Sequence, residues 1–588
     1  MTSTTTSAAR GGKDGTRGTD ATRPASQTGL AGLRDRVRPL VARLYGADAD
    51  RVTDELDALA RRCVDERGVV HSAIPDAGTS VLITYADTLR RAGEAPLVTL
   101  RSTLDEVVGP FPSHVHLLPV HPSTSDDGFA PTDYGALDPS LGTWDDVRDL
   151  AGRRHLMLDL VVNHVSASSP WFEAWLARSP EADGLFVEED PAFDTSATVR
   201  PRTSPLFHAF TRPDGSEVRV WTTFSADQVD LDLSSPSTLL RLTQVLLDFV
   251  GHGAQMIRLD AIGFLWKSSG TSSMSLPQTH AVVRLWRALL DVVAPGTQIV
   301  TETNVPMQEN LSYLGSGDDE AHLVYQFPLP PLVLHAFVAG DTTVLSGWAR
   351  GVAPPGPRAT FLNFLASHDG IGLRGSEGLL SDAQRDLVVQ HVLGNGGLAS
   401  MRTLPDGSEA VYELNTTYLD ALATREEAGD GVVVAAKGLA AHSVLLALSG
   451  VPAVYVHSLL GSANDPDAAA QSGVNRRISR ATLDVETLVA ELDHDVRRRA
   501  MLRGLQTMLS VRAEHLAFDP FTAHEVLDLG PRVFAVVRRA PGAGEEILCV
   551  TNVTPQTVEV AAPGRDLLTG QRSDVLTLGP YGYAWVLR

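Results

Sequence analysis

Short apolar runs of four to seven residues, each closing on polar side chains, alternate along this chain with longer stretches of amphipathic spacing. That alternation marks parallel βα units, whose strands are buried on both faces and so read as continuous apolar runs. The runs predict strands over Val81–Thr84, Val115–Pro119, Leu156–Val162, Gln255–Leu259, Gln298–Thr301, Leu323–Phe327, Thr360–Leu365 and Ala453–His457. Eight of them predict an α/β fold, a closed (β/α)₈ barrel with its working site at the strands' C-terminal ends. An open doubly wound sheet is the other arrangement of such units, but no Gly-x-Gly-x-x-Gly follows an early strand.

Two connections are too long for simple βα links. Residues 166–235 and 372–438 are expected to be inserted subdomains over the barrel mouth, within a catalytic region of residues 29–516. From about Ala517 the pattern turns to short alternating segments, Arg532–Arg538, Glu546–Val553 and Tyr581–Leu587. Those predict a small antiparallel β domain over residues 517–588. The first 28 residues are rich in Ser, Thr, Gly and Ala without an apolar stretch, and are expected to form a disordered tail.

Charge narrows the partners. The formal net charge is -22 over 588 residues, which argues against a nucleic-acid partner, because a duplex-binding surface must be basic. An anionic substrate would need arginines concentrated at the site. Lysine occurs only at Lys13, Lys267 and Lys437. Cys63 and Cys549 lie far apart, with no Cys/His cluster, so neither a disulfide framework nor structural zinc is expected. The longest apolar stretch, Leu439–Val456, is interrupted by His442, Ser443 and Pro452. It predicts a buried helix followed by a buried strand rather than a membrane span, and the expectation is a cytoplasmic monomer or homodimer.

Four segments carry acidic or imidazole side chains at predicted strand ends: Asp159-Leu-Val-Val-Asn163-His164, Arg258-Leu-Asp260, Glu302-Thr-Asn304 and Ser367-His368-Asp369. Singly, each has a plain structural explanation: Arg258–Asp260 as an ion pair, His164 or His368 as a buried hydrogen-bonded histidine. Together, on strands three, four, five and seven, they converge on one cavity. Arg258 and Asp260, two apart on a strand, share a face, so the guanidinium favours an ionised Asp260. Asp159 is expected to orient Arg258 from behind.

These segments resemble the four signature regions of the α-amylase family, glycoside hydrolase family thirteen, in order and spacing from about Ser72 onward. The resemblance implies that Asp260 is the nucleophile, Glu302 the general acid/base and Asp369 the transition-state stabiliser, with His164 and His368 holding the same sugar. A retaining mechanism then needs the two carboxyl groups about 5–5.5 Å apart.

Tyr325-Gln-Phe-Pro-Leu-Pro-Pro331, Ser367-His-Asp-Gly-Ile-Gly372 and Val199-Arg-Pro-Arg202 look like segments of the sucrose-phosphorylase branch. By that resemblance Arg202 contacts phosphate, and Asp133 with Arg480 grips the far hydroxyls of one terminal glucose. Arg200 and Arg202 read alone are ordinary solvated loop residues. Arg374, Arg476 and Arg477 follow other strands and are available to the same mouth. Sucrose phosphorylases carry a histidine two residues beyond the acid/base, where this chain has Asn304. The stretches Leu259–Lys267 (with Phe264 assigned to substrate binding), Thr303–Pro306, Glu413–Tyr418 and Tyr455–Gly461 are instead similar to the glucosylglycerate phosphorylase group. The implied reaction is phosphorolysis of 2-O-α-glucosylglycerate with inorganic phosphate as co-substrate and no cofactor. Sucrose, sucrose 6′-phosphate, a plain α-glucosidase and a non-catalytic family member are the alternatives, the last disfavoured by the intact carboxylates. Asn163 matches a position that some family members use for calcium, and no resident metal is expected.

Overall fold

The computed structural model describes residues 25–403, 408–542 and 544–588. All eight predicted barrel strands form: β1 (Val81–Thr84), β2 (His114–Leu117), β3 (His155–Val161), β4 (Ala254–Asp260), β5 (Gln298–Thr301), β6 (Leu323–Tyr325), β7 (Thr360–Phe364) and β8 (Val451–Tyr455). They close a barrel in chain order, every neighbouring pair parallel, with β8 returning to β1. Several ends shift by a residue or two. The largest shift is at β8, where Val456 and His457 turn into the helix Val456–Leu459. A continuous apolar run carries no periodicity that separates a buried strand from a buried helix. The stretch Leu439–Val456 divides as expected, between helix Gly431–Ala447 and β8. Among the described residues no helix is long and apolar enough to cross a membrane.

After β3 the chain leaves the barrel. His164–Ser166 pairs antiparallel with Gln228–Asp230, and between them lie the helix Pro170–Leu176 and the hairpin Phe207–Thr211/Glu217–Trp221. After β7, Ile371–Gly372 joins the hairpin Leu398–Thr403/Glu409–Asn415 in a three-stranded sheet. The end of this second excursion differs from expectation. The helix returning to β8 starts at Gly431, not beyond Gly438, because the Asp430 side chain accepts from Val432 N–H and Val433 N–H and caps it there. That helix is apolar nearly all round, so its pattern did not mark its start.

At the N-terminus, helix Ala25–Tyr45 begins inside the segment read as a tail and packs with Ala49–Arg67 against the barrel helix Pro277–Val293. Residues 1–24 of the expected tail lie outside the described residues. The C-terminal region is one antiparallel sheet in the order β9-β10-β11-β14-β12-β13. Its strands are β9 (Glu525–Asp528), β10 (Val533–Arg539), β11 (Glu546–Asn552), β12 (Val558–Asp566), β13 (Arg572–Leu578) and β14 (Tyr583–Leu587). The sequence pattern identified the three buried strands and missed the partly exposed ones. Gly564 interrupts the β12 register and β13 lies mostly exposed on the sheet edge.

One side chain joins these parts. Arg512 is buried on helix Val496–Glu514 and donates to the carbonyls of Ala77, Thr79 (3.3 Å), Gly450 (3.1 Å) and Phe518 (2.9 Å). It therefore ties the approach to β1, the approach to β8 and the entry to the C-terminal sheet. Arg512→Met keeps the stem but leaves these buried carbonyls without a donor, and should lower unfolding free energy by about 3 kcal/mol or more. Urea denaturation followed by tryptophan fluorescence measures it; an unchanged midpoint would show that water replaces the guanidinium.

Candidate active site

Strand register builds the site from the inside. Asp159 on β3 pairs with Arg258 on β4, so an acid and a base meet inside the barrel. Arg258 Nη1 donates to Asp159 Oδ1 at 2.5 Å and to Asp260 Oδ1 at 2.7 Å. On the far side Asp159 Oδ2 meets His116 Nε2 of β2 at 2.9 Å. Asp159 thus orients Arg258 from behind, and Arg258 presents Asp260. Immediately after Asp260 the backbone turns sharply: Ala261 has φ +50° and ψ 27°, a strained conformation for a residue with a Cβ. The turn points Ala261 N–H at Glu302 Oε2, 3.1 Å away.

Asp260, Glu302 and Asp369 face a cavity of about 830 Å³, its open mouth included. Their side chains are 11%, 16% and 23% exposed, so all three are reachable from it. Burial pushes the carboxyls of both Asp260 and Glu302 upward, with nearby carboxylates adding to the rise and Arg258 opposing it. The pair therefore retains a proton, and distance decides its place. Arg258 contacts Asp260 at 2.7 Å but Glu302 only at 3.9 Å, so Asp260 carries the charge and Glu302 the proton. Asp369 is pushed up by burial, but Arg476, Arg258, Arg480 and Arg202 outweigh it and hold the carboxyl below its ordinary range.

The pairing expected for Arg480 is corrected. Asp133 Oδ1 accepts from Gly135 N–H at 2.8 Å in a local turn, while Arg480 Nη1 bonds Asp127 Oδ2 at 2.7 Å. Asp126 faces the cavity and lies 3.9 Å from both Arg476 and Arg480. Asp126 and Asp127 have φ of +50° and +52°, and the next residue, Gly128, sits on Pro119, where a Cβ would come within 3.0 Å. That kinked loop brings Asp126 to the cavity wall and Asp127 to Arg480, leaving Asp133 outside. The acidic pair before a glycine was the available signal. Arg480 Nε also holds the His368 carbonyl at 2.7 Å.

His164 and His368 both line the cavity. His368 stacks on Phe129 with ring centres 4.8 Å apart, and His164 Nε2 lies 2.8 Å from the Phe129 carbonyl. Burial lowers both imidazoles, further lowered at His368 by Arg480 and Arg258, so both are neutral at pH 7. Phe264 forms a wall, edge-on to Phe224 at 5.5 Å.

The arginines separate into paired and free. Arg476 Nη1 contacts Asp369 Oδ1 at 2.7 Å and forks onto Glu413 at 3.0 and 2.8 Å. Glu413 was not anticipated as part of the site. Arg477 pairs with Asp127, and Arg200 turns to the Ser204 carbonyl, so neither lines the cavity. Arg202 does line it, its guanidinium lying between Phe224 (5.7 Å) and Tyr412 (5.3 Å). Among the described residues no carboxylate forms an ion pair with it.

Comparison with known proteins places the chain in a family. The description "Alpha amylase, catalytic domain" matches residues 113–344. The chain is 44% identical to the glucosylglycerate phosphorylase of Spirochaeta thermophila, with 93% of this chain and 95% of that protein covered. It is 43% identical to the glucosylglycerate phosphorylase of Allomeiothermus silvanus, over 94% and 99%. The chain belongs to the α-amylase family. Among solved structures, sucrose 6F-phosphate phosphorylase from Thermoanaerobacter thermosaccharolyticum superposes with a TM-score of 0.71. That match has 24% identity and covers 86% of this chain and 99% of the other.

In this α-amylase family chain the Asn163 position is engaged by a cation of the protein's own. Lys267 Nζ lies 2.8 Å from Asn163 Oδ1 and 2.8 Å from Asp230 Oδ2. Asp230 also accepts from Thr223 N–H and Asn163 Nδ2. The ammonium thereby locks the first insertion onto the end of β3. Among the described residues no cluster of three or more His, Cys, Asp or Glu could hold a metal. Removing Lys267 leaves a buried carboxylate uncompensated, so Lys267→Met should cost about 3–5 kcal/mol. Thermal unfolding of the unmodified protein should not shift with chelator or millimolar calcium; a calcium-dependent rise would mean that the ion displaces the ammonium.

Proposed function

We propose that this chain is a retaining glycoside phosphorylase, converting 2-O-α-glucosylglycerate and phosphate into α-glucose 1-phosphate and glycerate. The observation carrying this reading is Arg202, a guanidinium with no acidic ion-pair partner among the described residues, lining the same cavity as the three carboxylates in a chain of net charge -22. A hydrolase has no use for it; a phosphate nucleophile needs it. The two relatives above carry the name of the same activity.

The chemistry follows from the charge states. Asp260 attacks the anomeric carbon while Glu302 passes its proton to the departing O2 of glycerate, leaving a β-glucosyl ester on Asp260. A phosphate oxygen then attacks the same carbon, releasing Asp260 and returning a proton to Glu302. Two displacements restore the α configuration. Asp369, kept anionic by its arginines, accepts from sugar hydroxyls as the ring flattens. Asp126, on the cavity wall, bounds the pocket on the side where Asp127 pairs with Arg480.

Incubation with phosphate and a panel of α-glucosides should yield α-glucose 1-phosphate from glucosylglycerate in preference to sucrose or sucrose 6′-phosphate. Phosphate-independent glucose release, or a β-phosphate as the first product by proton NMR, would overturn the reading.

Asp260→Asn and Glu302→Gln should each lose several kcal/mol of transition-state stabilisation. Glucosyl-enzyme formation by the unmodified protein should fall as pH rises through the Glu302 pKa, because the leaving oxygen needs that proton. Since burial raises this group, the alkaline limb should lie above the ordinary carboxyl range. It should vanish in Glu302→Gln assayed with a leaving group that needs no acid.

Arg202→Ala should raise KM for phosphate roughly ten- to a hundredfold, as expected for a lost charged hydrogen-bond donor, with glucosyl-enzyme formation changed much less. Arg202→Lys should recover only part, because a point charge does not reproduce the fork. Equal losses in both half-reactions would assign Arg202 to the glucose pocket instead.

A further inference from the structure

Behind the loop of Asp126, Asp127 and Gly128 lies a second cavity, of about 740 Å³ with its open mouth included. The loop is the partition. Asp126 lines the catalytic cavity, whereas Asp127 and Gly128 line the other. Beyond β8 the arginines divide in the same way, Arg476 to the first cavity and Arg477 and Arg480 to the second. Among the described residues none lines both. The far wall comes from the residues that follow β1 and β2, among them Tyr85 and His121.

Each of these two side chains carries a buried polar atom without a hydrogen-bond partner. The first is Tyr85 Oη. Burial pushes the phenol well up, so it keeps its proton and is a donor. The second is Nε2 of His121, a residue only 3% exposed. Nδ1 of that ring lies 2.8 Å from the Ala136 carbonyl, which can only accept, so Nδ1 carries the proton. Burial pushes the imidazole down to about 4, so at pH 7 the ring is neutral and Nε2 is a bare acceptor. One wall therefore offers a donor and an acceptor that are costly to leave unmet. An anion can only accept and an ammonium can only donate. A hydroxyl does both.

Charge on the same wall points the same way. Asp127 is held by Arg477 and by Arg480 Nη1, the latter at 2.7 Å. Asp87 is held by Arg90 at 2.7 Å, and Asp138 Oδ1 accepts from Ser140 N–H at 2.8 Å. Three aspartates (Asp87, Asp127 and Asp138) stand against two arginines (Arg477 and Arg480) on the lining. The field of this cavity thus disfavours anions, phosphate and glycerate among them.

We propose that the second cavity is a binding site for a neutral sugar or polyol, with one hydroxyl accepting from Tyr85 and another donating to His121. Pro119 and Leu141 give ring carbons an apolar surface on the same lining. The site is separate from the reaction assigned above, because none of its residues lines the catalytic cavity.

The probe is D-glucose, titrated by calorimetry into the Asp260→Asn protein, which lacks the nucleophile. An excess of α-glucose 1-phosphate keeps glucose out of the catalytic cavity. Binding should persist under these conditions. Adding Tyr85→Phe should weaken it roughly three- to tenfold, as expected for one neutral hydrogen bond. Ser140 is an exposed residue of the same lining, and adding Ser140→Trp should abolish binding by filling the space. No binding beside α-glucose 1-phosphate, or a Kd within twofold of the parent in both variants, would overturn the site. If Tyr85→Phe does not fold, Ser140→Trp decides by the same criterion.

Discussion

The site depends on one buried cation. Arg258 is enclosed by the barrel, and an uncompensated guanidinium there would be untenable. Its charge is met by Asp159 behind and Asp260 in front, each within 2.7 Å. The same contact that makes Arg258 tolerable keeps Asp260 ionised and points its carboxylate at the cavity. Because Glu302 stands farther from Arg258, it keeps the proton that Asp260 gives up. One ion-pair geometry thus sets two opposite protonation states on carboxyls facing the same cavity.

Around that centre the arginines fall into two classes. Arg258, Arg476 and Arg480 are bound to acids and define fixed anions: Asp260, Asp369 with Glu413, and Asp127. Among the described residues Arg202 and Arg374 have no such partner, and both line the cavity. In a strongly acidic protein an unneutralised arginine is not a default outcome, since a nearby carboxylate is easily found. The paired arginines hold fixed carboxylates in and behind the cavity wall, and the two others keep their charge available to an anion.

The walls that hold these groups come from both excursions out of the barrel. The first supplies Arg202 and Phe224, and Lys267 anchors it through Asn163 and Asp230. The second supplies Arg374, Tyr412 and Glu413, and its sheet packs tightly enough that Gly370 and Gly372 leave no space for a Cβ. The three carboxylates follow the barrel strands, and the unpaired guanidiniums Arg202 and Arg374 sit on the insertions.

The sequence by itself determined the eight strands, the barrel, and the convergence of Asp260, Glu302 and Asp369, because each strand is a local apolar run and strand ends meet by topology alone. It also determined that Arg258 stands directly behind Asp260, since the two share an interior face by the two-residue strand period. Only the tertiary structure decided the partners of long side chains. Arg480 bonds Asp127 and not Asp133 because two residues of positive φ bend the loop. Arg476, beyond β8, reaches Glu413 of the second insertion, and the start of helix Gly431–Ala447 is set by a cap rather than by its apolar pattern. Periodicity records which face of an element is buried, whereas an arginine's partner depends on where loops distant in sequence come to rest.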